Sequence, residues 1–137
     1  MSSRTGSVLI VDDDAAVRNS LKFALGIEGI DVRLYGSGVE LLADADLPEH
    51  GCLVVDYQMP SINGIQLVDI LRDRHRSYPT ILISGHVSED VRERAAVAGI
   101  HEVLEKPLLD ETLVNSIRSA LAGFGGEIAA DLAPSAG

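Results

Sequence analysis

The chain has 137 residues, 46% of them hydrophobic and 23% charged, which suits one globular domain with one core and leaves no room for a second, output domain. Eleven Lys and Arg against 21 Asp and Glu give a formal charge of −10, a field that repels nucleic acid and anionic membrane surfaces, so neither is an expected partner. No apolar stretch approaches the ~18–20 residues that cross a bilayer, and the N-terminus leads into a strand rather than a signal-peptide core, so the expected location is the cytoplasm.

Short apolar runs of strand length alternate with stretches of helical period, which argues for a parallel sheet flanked by helices. After an N-terminal extension over 1–7, a domain over 8–122 opens with a strand at Val8–Val11. A helix over Ala15–Glu28 follows, with Val17, Leu21, Ala24 and Leu25 on one face and Gly29 as its stop. Asp31–Tyr35 reads as a polar edge strand and Val39–Ala45 as a helix. Cys52–Val55 is apolar at every position, as a central parallel strand buried on both faces requires. Its Cys52, the single cysteine, reads as a small buried hydrophobe. A helix over Ile65–Arg74 turns Ile65, Val68 and Leu71 inward, and Thr80–Ile83 is again a buried strand. The helix over Glu89–Ala98 has Ser88 as N-cap and Gly99 as stop. Glu102–Leu104 is the fifth strand. The last helix starts at Asp110, with Leu109 and Val114 as a hydrophobic staple, and ends at Gly123. Residues 123–137 form a Gly/Ala-rich tail in which Ile128 and Leu132 share a helical face.

At or just past the ends of four of these strands stand Asp12, Asp13, Asp56, Ser84 and Lys106. Parallel strands deliver all five to one edge of the sheet, where open α/β sheets bind ligands. Oxygen ligands suit hard divalent cations, and a carboxylate attacks phosphorus when a metal neutralises the phosphoryl oxygens. Asp56, on the central strand, is the candidate nucleophile; Lys106 offers a compact positive charge and Ser84 a hydroxyl donor. Singly, each has a plainer use: Asp12, Asp13 and Asp14 complement a helix dipole, Asp56 forms a turn before Met59-Pro60, Ser84 caps a helix and Lys106 is a surface lysine. The joint pattern outweighs these readings, because independent surface choices rarely fall at the ends of four buried-type strands.

From Val8 to about Leu121 the chain resembles the receiver domain of two-component response regulators, of the stand-alone, chemotaxis-regulator kind. The motifs are Val11-Asp12-Asp13-Asp14, Val55-Asp56-Tyr57-Gln58-Met59-Pro60 with Asn63-Gly64 following, Ile83-Ser84-Gly85-His86 and Glu105-Lys106-Pro107. The resemblance implies an α/β, doubly wound, five-stranded parallel sheet of order 2-1-3-4-5, the flavodoxin-like receiver fold. It implies Asp56 as phosphoacceptor from a sensor histidine kinase or phosphotransfer protein. Mg²⁺, with Mn²⁺ as substitute, is expected on Asp13, Asp56 and the Gln58 carbonyl, with Asp12 orienting its waters. Lys106 then contacts the phosphoryl group, Lys106-Pro107 is a cis peptide, and Gln58 and His86 modulate the lifetime of the acyl phosphate. The implied partners are a downstream protein effector and a second copy through the last helix–strand–helix face. Three positions depart from the family pattern: Ser84 stands for the usual Thr, Val103 for a Tyr or Phe that rotates on phosphorylation, and Leu108 for a frequent Phe.

Other classes compete. A Mg²⁺-dependent aspartyl-phosphate hydrolase would use Asp12 and Asp14 as D-x-D, but Ala16 stands where it would carry Thr or Val and no cap domain is at hand. A flavin mononucleotide binder shares the fold class, yet its phosphate would meet Asp12, Asp13 and Asp14. A receiver cut from a longer regulator is the third alternative.

Overall fold

The computed structural model describes residues 7–108 and 111–122. Five strands, β1 (Ser7–Val11), β2 (Val32–Tyr35), β3 (Gly51–Asp56), β4 (Thr80–Ser84) and β5 (Glu102–Glu105), pair in parallel in the order β2-β1-β3-β4-β5. Between them run α1 (Ala15–Ile27), α2 (Gly38–Leu42), α3 (Gly64–Asp73) and α4 (Glu89–Val97), and α5 covers residues 111–122. This is the doubly wound, flavodoxin-like receiver fold expected from the sequence.

Strand alternation divides the core into two layers. Val8, Ile10, Cys52, Val54, Ile81 and Ile83 pack against α1 and α5 through Leu21, Leu25, Leu113 and Ile117. Leu9, Val11, Leu53, Val55 and Leu82 face the other way, onto Leu41, Leu67, Leu71, Val91 and Ala95 of α2, α3 and α4. Every residue of β3 and β4 is buried, which explains why those two strands carry no polar alternation. Cys52 lies inside this core, where burial pushes its thiol up to about 12 and leaves it without a nucleophilic role.

Several boundaries differ from the sequence expectation for local reasons. β1 begins at Ser7, paired with Gly51, where a Cβ would fall 2.5 Å from the Ser7 carbonyl oxygen, so only glycine lets the strands meet there. β2 starts at Val32, one residue later than expected, although the Asp31 carbonyl still accepts from the Val8 N–H at 2.9 Å and its carboxylate from the Ser7 hydroxyl. α2 starts at Gly38 behind the N-cap Ser37 and stops at Leu42, short of Ala45, because the Asp44 carboxylate turns to accept from the Asp46 N–H and the Tyr35 hydroxyl. On α3 the fully buried positions are Gly64, Leu67 and Leu71, with Ile65 and Val68 half-buried beside them. Gly29 and Gly99 end α1 and α4 at φ of +76° and +79°, a left-handed step that suits glycine. Of the expected N-terminal extension over 1–7, Ser7 belongs to β1; residues 1–6, Asp110 as helix start, the Leu109 staple, Gly123 as stop and the tail with Ile128 and Leu132 lie outside the described residues.

Candidate functional site

β1, β3, β4 and β5 end level with one another, and their ends carry the chemistry. Asp56 is the last residue of β3 and continues the alternation of Cys52 and Val54; Ser84 is the last residue of β4, and Asp12 and Lys106 directly follow β1 and β5. Asp12, Asp56 and Ser84 are buried, whereas Asp13 is exposed. Carboxylate oxygens of Asp12, Asp13 and Asp56 lie within 4.8 Å of one another, an oxygen-only donor set that fits a hard divalent cation. Lys106 supplies the facing positive charge, its Nζ 3.2 Å from Asp56 Oδ2, and the Lys106–Pro107 bond is cis.

The acidic loop is held in register from within. Asp12 Oδ1 accepts from the Asp14 N–H at 2.9 Å, and the Arg18 guanidinium reaches back six residues to the Asp12 carbonyl at 2.6 Å. Burial pushes the Asp12 carboxyl above its ordinary range. The Asp14 N–H pulls the other way, the charge of Asp56 adds to the rise, Lys106 opposes it and Asp13 adds again. Asp14 is spent elsewhere: it is the N-cap of α1, accepting from Ala16 and Val17. The D-x-D alternative therefore lacks a free second acid.

The β3–α3 connection sets the floor. Gly64 opens α3 against the strand ends, where a Cβ would sit 2.7 Å from Leu82 Cδ1 and 2.8 Å from the Asp56 carbonyl oxygen. Asn63 caps α3 through a reciprocal box with Gln66, at 2.8 Å in each direction. Gln58 is exposed, and its carbonyl takes part in no hydrogen bond among the described residues, so it is free to add a fourth oxygen. On the β4 side the Ser84 hydroxyl donates to the His86 carbonyl at 2.9 Å and accepts from the His86 N–H at 3.3 Å. His86 itself is exposed, and Val103 is half-buried against the layer of α4. Beside Lys106 a groove of about 560 Å³ runs between α1 and the Lys106–Leu108 segment, lined by Ala16, Val17, Ser20, Leu21, Pro107 and Leu108.

Sequence reasoning missed Arg18 and the Asn63–Gln66 box. The box was signalled by Asn63-Gly-Ile-Gln66, whereas Arg18 gives no sign, because an arginine in the first turns of a helix usually faces solvent.

The chain belongs to the response regulator receiver domain family, which matches residues 8–118. Within that family it is similar to the C4-dicarboxylate transport transcriptional regulatory protein DctR of Rhodobacter capsulatus, with 35% identity over 90% of this chain and 64% of DctR. It is similar also to the transcriptional regulatory protein FixJ of Rhizobium meliloti, with 36% identity over 83% of this chain and 56% of FixJ. The chain thus spans 53–64% of the length of these and the other curated relatives it matches. Among solved structures, FixJ-N superposes with a TM-score of 0.77 at 36% identity, covering 85% of this chain and 93% of that one. The Vibrio cholerae chemotaxis protein CheY4 gives 0.78 at 25%, covering 83% and 97%.

Proposed function

We propose that Asp56 accepts a phosphoryl group from a phosphohistidine of a sensor kinase or phosphotransfer protein, and that the chain switches protein contacts in response. The observation that carries this reading is a buried Asp56 carboxylate 3.2 Å from Lys106 Nζ, with oxygens of Asp12 and Asp13 within 4.8 Å. In the forward step an Asp56 oxygen bonds to phosphorus as the phosphorus–nitrogen bond of the donor breaks, and the imidazole leaves. Hydrolysis by water later returns the carboxylate and inorganic phosphate. The chain is thus a signalling acceptor that promotes only its own phosphorylation and dephosphorylation.

Asp12, Asp13, Asp56 and the Gln58 carbonyl would hold Mg²⁺, or Mn²⁺ in its place. When bound, the ion offsets the mutual repulsion of the carboxylates and the charge of the incoming phosphoryl oxygens. Lys106 neutralises one phosphoryl oxygen as a point charge. Gln58 and His86 flank the approach of the hydrolytic water. The groove between α1 and Lys106–Leu108 opens beside Lys106, the ion-pair partner of the acceptor, and gives a donor domain an apolar surface to rest on.

The switch is the Ser84 hydroxyl. Its bond to the His86 carbonyl is exchanged for one to a phosphoryl oxygen, which draws on the loop before α4 without an aromatic swing at Val103. The surface of α4, β5 and α5 then changes and receives an effector or a second copy. The domain works in the cytoplasm; no helix among the described residues is long and apolar enough to cross a membrane.

Incubation with acetyl phosphate and Mg²⁺ tests the acceptor: intact mass should show one added phosphoryl group, absent from Asp56→Asn. A labile phosphate retained by that variant overturns the assignment. A second reading makes the chain the regulatory segment of a longer transcriptional regulator, favoured by relatives so named that extend well beyond the matched region. Reading the coding sequence beyond Gly137 separates the two.

A further inference from the structure

We propose that the groove between α3 and α4 docks a cationic, amphipathic segment of a partner protein. The inference concerns a surface that shares no residue with the carboxylate cluster and does not depend on which residue is phosphorylated.

The groove encloses about 380 Å³. Its apolar surface is Ile65 of α3 with Val97 and Ala98 at the end of α4. Val97 is 85% exposed, the most exposed large hydrophobic side chain among the described residues, and it belongs to neither core layer. Isolated apolar exposure is ordinary, but here a valine borders a concavity with a half-buried isoleucine across from it.

The charges around that surface are one-sided. Asp69 lies one turn beyond Ile65 on α3, and Glu93 one turn before Val97 on α4, so a carboxylate flanks the apolar patch from each wall. The single guanidinium of the groove, Arg94, is paired with Asp90 at 3.1 Å. Asp69 and Glu93 have no hydrogen-bond or ion-pair partner among the described residues. A groove with an apolar floor, two free carboxylates and a paired arginine is complementary to a segment that places one or two apolar side chains between Lys or Arg residues. The formal charge of −10 steers such a segment toward the chain and rejects acidic ones.

Selection of a phage-displayed random peptide library on the immobilised chain tests the proposal, with fluorescence polarisation of the enriched peptides on three forms: wild type, Asp69→Lys/Glu93→Lys and Val97→Ser. Circular dichroism confirms that both variants keep the fold. Enriched peptides should carry at least two basic residues around apolar ones, bind the charge-reversed variant at least tenfold more weakly, and lose affinity severalfold on Val97→Ser and on raising salt. Enrichment of acidic or uncharged peptides, equal binding to wild type and both variants, or no enrichment overturns it. So does binding that responds to salt and to charge reversal but not to Val97→Ser, since that is electrostatic adsorption without a groove.

Discussion

At the C-terminal edge of the sheet three carboxylates stand within 4.8 Å of one another and face one ammonium, Lys106. At the opposite edge, the polar loop that leads from α2 into β3 is tied down by four side chains from distant strands and turns. Arg33 donates to the Asp46 carbonyl at 2.8 Å, Arg74 to Leu42 at 3.0 Å, Arg76 to Leu47 and Pro48 at 3.3 and 3.2 Å, and the Tyr78 hydroxyl to Pro48. Tyr35 closes the arrangement through Asp44: the phenol is held up at about 12 by burial and by that bond, while Asp44 is held below its usual range by accepting it. One edge concentrates like charge that a ligand can relieve; the other satisfies its loop carbonyls from within the chain. The same packed strands connect both, so substitutions at each edge should separate binding from stability.

The largest contrast should come from the acidic loop itself. Asp13→Ala removes a candidate metal ligand and should weaken Mg²⁺ binding by no less than the ~10–100-fold that outer-shell partners cost, read by calorimetry. Asp14→Ala should leave Mg²⁺ affinity alone and cost about 1 kcal/mol of stability in urea, because its carboxylate is spent capping α1. Equal losses of affinity from both would mean that the loop presents its acids in a different register.

Gly64→Ala should destabilise by ~1–3 kcal/mol, since the new methyl meets the Asp56 carbonyl at 2.8 Å, a backbone atom that cannot turn away. It should also slow phosphorylation by shifting the end of β3. Gly38→Ala meets side-chain atoms alone, Ile62 Cδ1 and Cγ1 at 2.6 and 2.8 Å and Leu67 Cδ1 at 3.5 Å, which a change of the half-buried Ile62 rotamer can relieve, so it should cost less in urea and leave phosphorylation unchanged. A Gly64 variant as stable as wild type would show that α3 can slide on the sheet.

A third test uses pH. Asp12 is raised above its ordinary 3.8, first by burial, so the metal-free fold binds this proton more tightly than the unfolded chain does. The stability linked to that preference is complete below the unfolded value and is lost as pH rises through the folded one. At neutral pH the ionised group therefore costs stability, and Asp12→Asn should melt higher than wild type without metal. The gain should vanish as pH falls toward 4, and saturating Mg²⁺ should reverse the order. A variant that melts lower at neutral pH without metal would mean that contacts to the carboxylate outweigh its desolvation.

How much of this was legible before the fold depends on how local each cause is. Cys52–Val55 and Thr80–Ile83 announced buried strands because every side chain but that of Thr80 is apolar, and Asp56 and Ser84 followed as the first polar residues after these runs. The cluster was legible because parallel topology alone brings such ends together. The clamp on the opposite edge was not: Arg74, Arg76 and Tyr78 meet carbonyls 28 to 32 residues away, and an arginine's target carbonyl leaves no mark in a sequence. The helix α2 was expected, but its early end was not legible for the same reason, since Asp44 leaves the helical path to meet Tyr35 on a neighbouring strand.

The smallest expected effect lies in that clamp. Tyr78→Phe removes the hydroxyl that donates to the Pro48 carbonyl, but Arg76 still donates to the same oxygen at 3.2 Å, so the acceptor is not stranded. The loss should therefore fall near ~0.5–1 kcal/mol, the net worth of one neutral hydrogen bond, rather than the larger cost of a buried group left bare. Mg²⁺ affinity and acetyl-phosphate reactivity should stay at wild-type values, because no hydrogen bond of the clamp reaches the acidic loop. Combining Tyr78→Phe with Asp14→Ala should give additive losses in urea to within ~0.5 kcal/mol, as distant sites with no shared partner do. A coupling energy well above that, or a change in Mg²⁺ affinity from Tyr78→Phe alone, would show that the strands transmit strain from one edge to the other and that the separation between binding and stability fails.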